Sequence, residues 1–147
     1  MANVKCFSRL KRTSSLHATT AACVAKISAP ANQGIWAWVS VFGKDATNAE
    51  MTRWELRTGT SGGTFVTGAV EGPNRTDPRE ATTVQATVTE CTANATNDGT
   101  VIDSVLMGSG RQASFQPVYI KAGTSVFVFA DCPTVTTDYD ICIKHEE

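Results

Sequence analysis

Between Ile27 and Gly43 the chain reads ISAPANQGIWAWVSVFG, and its second half is apolar on both alternating sides. Ile35, Ala37, Val39 and Val41 share one side of a strand, while Trp36, Trp38 and Phe42 share the other. A strand with no wet face must be covered twice, inside a sandwich or by another chain. The run Val126-Phe-Val-Phe-Ala130 repeats this pattern, with Phe127 and Phe129 on one side. Two such strands exceed what the core of one small sandwich covers. Trp36, Trp38, Phe42, Phe127 and Phe129 are therefore expected at contacts between subunits.

Elsewhere the alternation has one polar side. Trp54 and Leu56 face inward, and Arg53, Glu55 and Arg57 outward; Val84, Ala86 and Val88 form another inward row. Strands are predicted over 20–29, 34–43, 51–58, 64–70, 82–91, 100–107, 115–120, 124–131 and 137–144. The connections carry turn signals: 58–63 (TGTSGG), the charged loop 71–81 (EGPNRTDPREA), Asp98-Gly99, and Lys121-Ala-Gly-Thr124 as a hairpin turn. About one residue in seven is Thr, which suits pleated, half-buried surfaces. The pattern predicts an all-β fold, an antiparallel, jelly-roll-like β-sandwich with an extended N-terminal arm. Its anchors are Ile27, Trp54, Leu56, Val84, Val88, Ile141 and Ile143.

The 147 residues suit one domain, here 19–147, preceded by a basic arm over 1–18. That arm is Ser/Thr-rich and without clear period. Charge divides unevenly: residues 1–44 carry six basic side chains and no acidic one, so the remainder is −7 against a total of −1. Lys5, Arg9, Lys11 and Arg12 give the arm its charge and predict an acidic partner for it. Deleting residues 1–15 is expected to weaken attachment to that partner while sparing the sandwich.

The five cysteines, Cys6, Cys23, Cys91, Cys132 and Cys142, are odd in number and lack C-x-x-C spacing. They predict mostly reduced thiols rather than a disulfide scaffold or a zinc site. No signal-like apolar run follows Met1–Ser15, and no stretch approaches the ~20 apolar residues of a membrane span. The chain is expected to be made in the cytoplasm. The glycosylation-like triplets at Asn74 and Asn94 are read as accidental.

Catalytic signatures are missing. The two histidines, His17 and His145, lie near the chain ends and read as surface residues. No HExxH, G-x-S-x-G or phosphate-loop pattern is present. Glu55, Glu90 and Asp103 are the strand carboxylates available for glycoside chemistry, with nothing in their spacing to pair them. Asp138, Asp140, Glu146 and Glu147 make an acidic end rather than a calcium loop. No enzyme, metal or cofactor is predicted.

Residues 27–68 resemble the start of a family of small tailed-phage head proteins, with "I-x-APAN", an apolar strand, a Gly, a short Ala/Thr/Asn spacer and Thr52-Arg-Trp-Glu-Leu56 before a Gly/Thr turn. The later part, from Phe115–Ile120 through Lys121-Ala-Gly123 to Glu146-Glu147, is similar too. The resemblance implies a non-enzymatic capsid cement or decoration protein, a homo-dimer or homo-trimer on the outer surface of the virion. It would bind the major capsid protein of a tailed phage and bridge adjacent capsomers, with no membrane and no specific nucleic acid as partner. Two other readings follow from the residues. One is a carbohydrate-binding β-sandwich module on a virion surface, using Trp36, Trp38 or the 71–81 loop. The other is a non-specific nucleic-acid binder using the arm.

Overall fold

The computed structural model describes the backbone of residues 6–43, 52–66, 74–75, 86–95, 98–108 and 111–146. Ten strands are defined there: β1 (Cys6–Ser28), β2 (Ile35–Gly43), β3 (Thr52–Thr58), β4 (Gly62–Val66), β5 (Asn74–Arg75), β6 (Thr87–Ala95), β7 (Thr100–Met107), β8 (Gln112–Ser114), β9 (Val118–Ile120) and β10 (Ser125–Glu146). All pairings are antiparallel, and no helix occurs among the described residues. The fold is the all-β antiparallel sandwich that the alternation predicts.

Its organising element is a long ribbon of β1 and β10, paired from Cys6 opposite Glu146 to Ser28 opposite Ser125. The ribbon belongs to both layers. In one layer, β1 residues 25–28 pair with β6, and β10 residues 127–131 pair with β3, giving the order β4-β6-β1-β10-β3-β7. In the other, β10 residues 139–146 pair with β2, which carries β8 and β9, while β5 flanks β1. Register shifts cluster between Thr13 and Ala25, where the ribbon passes from one layer to the other. Bulges are how a strand turns such a corner.

One core lies between the layers. Ile35, Ala37, Val39 and Val41 of β2 and Ile141 and Ile143 of β10 meet Ile27, Trp54, Leu56, Val88 and Val128 from the facing layer. Six of the seven expected anchors are fully or nearly fully buried; the seventh, Val84, lies outside the described residues, as does most of the 71–81 loop.

Three expectations are corrected. Residues 6–18, read as an arm, run as the first half of β1, because β10 offers them a partner far away in sequence. Strand pairing of this kind overrides a weak local pattern. The strand predicted at 115–120 is shortened to β9 (Val118–Ile120), with β8 ending at Ser114 just before the predicted range. The Phe115 amide donates to the Val39 carbonyl (3.0 Å), and Pro117 has no amide to offer a ladder. Lys121–Thr124 forms a turn (Thr124 N to Lys121 O, 3.0 Å) with Gly123 at φ 71°, but not a hairpin. The strands it joins, β9 and β10, pair with different neighbours.

Candidate functional site

The outward side of β2 is the first candidate. Because Ile35 to Val41 point into the core, the same alternation turns Trp36, Trp38, Ser40 and Phe42 outward. Trp36 is 46% exposed; Trp38 and Phe42 are half-buried. Neighbouring strands complete the face. Tyr119, 54% exposed, stands opposite Trp36, with ring centroids 5.4 Å apart and planes tilted by 58°. Lys144 lies opposite Trp38, and Cys142 opposite Ser40. Ser114 lies opposite Ser40 on the other edge, their hydroxyls 2.9 Å apart. Trp38, Ser40, Ser114, Phe115, Cys142 and Lys144 enclose a shallow recess of about 210 Å³. Gly34 supports the arrangement: a side chain there would run into the Tyr119 phenol.

Phe127 and Phe129, grouped with these aromatics by sequence, are placed differently. Both are buried within the chain in a small second cluster with Cys23, against which Phe65 and Cys91 pack. Phe65 meets Phe127 edge-on at 5.7 Å, and Lys26 lies over both rings. The Arg57 guanidinium sits 4.7 Å above the Phe129 ring and is held there by Glu55 (Nε to Oε2, 2.8 Å). The outer side of this layer therefore has its own cover, and these two rings are not open to another subunit. Arg57, expected to face solvent, is buried by the same arrangement.

A third surface is aliphatic. Among the described residues β7 pairs only with β3 and so forms an edge of its layer, and Val101, Ile102 and Leu106 on it are 44%, 43% and 57% exposed. Asp103 ties this edge to the other layer by accepting from the Gln116 amide (2.9 Å) and the Ser104 amide (2.8 Å).

The remaining sequence candidates are dispersed. Arg9, Lys11 and Arg12 lie on β1 opposite Ile143, Ile141 and Asp140; their side chains, and Lys5 altogether, lie outside the described residues. Glu55 and Asp103 have the partners given above, and Glu90 pairs in register with Ala25 and Val66. Among the described residues no three of His, Cys, Asp and Glu are grouped to hold a metal ion. His145, expected at the surface, is buried on the inward side of β10. Tyr119, Ser40, Ser114 and Lys144 were not singled out by sequence reasoning. The only available signal was the inward Ile120, which fixes Tyr119 as outward.

At the connection between β3 and β4, Asp98 accepts from the Ser61 amide (2.9 Å) and hydroxyl (2.5 Å), which holds its carboxyl below the ordinary 3.8. The chain matches no protein-family model, no curated protein and no solved structure.

Proposed function

We propose that the chain is a non-enzymatic capsid cement or decoration protein, binding the outer surface of a tailed-phage head and bridging adjacent capsomers. The observation that carries this reading is the aliphatic strip of β7. Val101, Ile102 and Leu106 are large apolar side chains that the chain itself leaves uncovered, along a strand at the edge of a layer. Strips of this kind mark contacts with other proteins. The resemblance of residues 27–68 supplies the class of partner.

One small apolar strip binds weakly. A homo-dimer or homo-trimer presenting two or three strips to a symmetric shell gains roughly 10²–10⁴ in avidity. Lys5, Arg9, Lys11 and Arg12 would steer the protein towards an acidic shell. The test is co-sedimentation with heads stripped of the protein. Saturable occupancy is expected, with Ile102→Lys and Leu106→Lys lowering it without unfolding the sandwich. Absence of binding by the folded wild-type protein would rule the reading out.

A further inference from the structure

We infer that the recess between β2, β8 and β10 is a saccharide-binding site, and that the sugar it accepts carries a carboxylate. The recess differs in chemistry from the β7 strip. Its wall is Trp38, with the Trp36–Tyr119 pair beside it, and its polar groups are the Ser40 and Ser114 hydroxyls and the Lys144 ammonium. A sugar ring has the matching combination. Its C–H face is electropositive and sits on the negative face of an aromatic ring, while its edge is hydroxyl. Few polar groups on an otherwise apolar concavity are also how small-ligand sites fix orientation.

The hydroxyl pair is placed for such a ligand. Ser40 and Ser114 bond each other at 2.9 Å across neighbouring strands. Each hydroxyl has one donor and two acceptor positions, so the mutual bond leaves capacity on both for a vicinal diol. An aliphatic protein segment would leave that capacity unused.

Lys144 sets the charge. It is exposed and, among the described residues, is the only charged side chain lining the recess. A carboxylate on the ring is its complement, through a charge-assisted bond. On the same side of β10, Asp140 stands four residues before Lys144 and Glu146 two residues after it. A single cation flanked by acidic residues suits one carboxylate and disfavours a phosphate-dense polymer such as nucleic acid, which needs several cations in a row.

The test is titration of the whole protein with trigalacturonate, with cellotriose as the neutral control, read by tryptophan emission and by calorimetry. Trp54 is fully buried in the core, so a change in emission on binding reports Trp36 and Trp38. We expect saturable binding that weakens with added salt, and at least about tenfold weaker binding of cellotriose. Trp38→Ala should abolish binding. Lys144→Gln should weaken it about tenfold and remove its salt dependence. Ile102→Lys should leave it unchanged. Unchanged Trp54 emission confirms that each variant is folded. No binding by the folded wild type, equal binding of cellotriose, or binding indifferent to both recess substitutions would overturn the inference. So would concentration-dependent shielding of Trp36 in sedimentation experiments, which would assign the face to a second copy. Head attachment is read separately, so either proposal can fail alone.

Discussion

Replacing Phe129 with Ala separates the two places this ring could occupy, the interior of the chain or a contact between subunits. Phe129 is fully buried, opposite Cys23 on β1 and Glu55 on β3, with the Arg57 guanidinium 4.7 Å above it. Truncating a buried Phe costs about 3–5 kcal/mol. The lower end is expected here, because Arg57 sits on a side chain that can settle into part of the void. A loss of about 3 kcal/mol is large against the ~5–15 kcal/mol of a whole domain. At about 2–4 °C per kcal/mol for a domain of this size, the melting point falls by roughly 6–12 °C. Arg57→Met keeps the apolar stem but removes the cation over the ring, worth about 0.5–2 kcal/mol in a partly buried setting. It also leaves the Glu55 carboxylate, 14% exposed, without its guanidinium. The two substitutions share one contact, so the double variant should lose less than the sum of the singles.

The assay is urea unfolding followed through Trp54, with molar mass measured in parallel by light scattering. Phe129→Ala should lower the urea midpoint and leave the mass of the folded protein unchanged. A stability loss under about 1 kcal/mol together with a fall in mass would refute the reasoning. It would return Phe129 to the subunit interface that its sequence pattern suggested.

Three further outcomes follow from single contacts. Gly99 has φ 84°, and a side chain there would meet the Thr58 carbonyl; Gly99→Ala should cost at least about 1–2 kcal/mol, seen as a lower urea midpoint at constant slope. The Ser61 hydroxyl and amide lower the Asp98 pKa in the folded state, so the stability Asp98 contributes is complete above its unfolded value and is lost as pH falls through the folded one. Asp98→Asn should therefore be less stable than wild type near neutrality, with the gap closing in acid; a gap independent of pH would contradict this. Burial, and secondarily the neighbouring Cys91 thiol, push the Cys23 thiol far above the ordinary thiol range; alkylation of Cys23 at mildly basic pH should wait for unfolding, and labelling of the native protein at the rate of a free thiol would show the cluster to be open.

Which parts of this fold were legible depended on whether the information was local. The inward rows of β2, β3 and the end of β10 each follow from alternation within a few residues, and Trp54, Leu56, Ile141 and Ile143 are all buried as read. The length of β1 was not legible. Its first half is basic and aperiodic, and it is a strand because residues more than a hundred positions away pair with it. β10 read as two strands, because the polar stretch with Pro133 interrupts the apolar pattern where the ladder partners jump from Cys132 to Thr137. The turns were found but their use was not: turn chemistry fixes a local reversal, while the choice of sheet for the next strand is decided by packing. The aromatic residues show the same limit. Alternation grouped Trp36 with Trp38 and Phe127 with Phe129. It did not show that Arg57, Lys26 and Phe65 cover the second pair while Trp36 keeps a large exposed area beside Tyr119.

The shared ribbon also changes what a truncation means. As an arm, residues 1–15 would be dispensable to the sandwich, and their removal would test attachment alone. As strand, residues 6–13 are the ladder partners of 139–146 along one edge of β10, with β2 along the other. Removing them leaves Ile141 and Ile143, both fully buried, on a strand paired on one side only, and frees a row of backbone donors and acceptors that must then find water or another chain. Deletion of 1–15 should therefore lower the urea midpoint and promote association through the new edge, so any accompanying loss of head binding would not report on the charge of Lys5, Arg9, Lys11 and Arg12. Charge reversal at those four positions in the full chain isolates electrostatic steering from the strand. An unchanged midpoint after the deletion would show that the first half of β1 is not structural and would restore the reading as an arm.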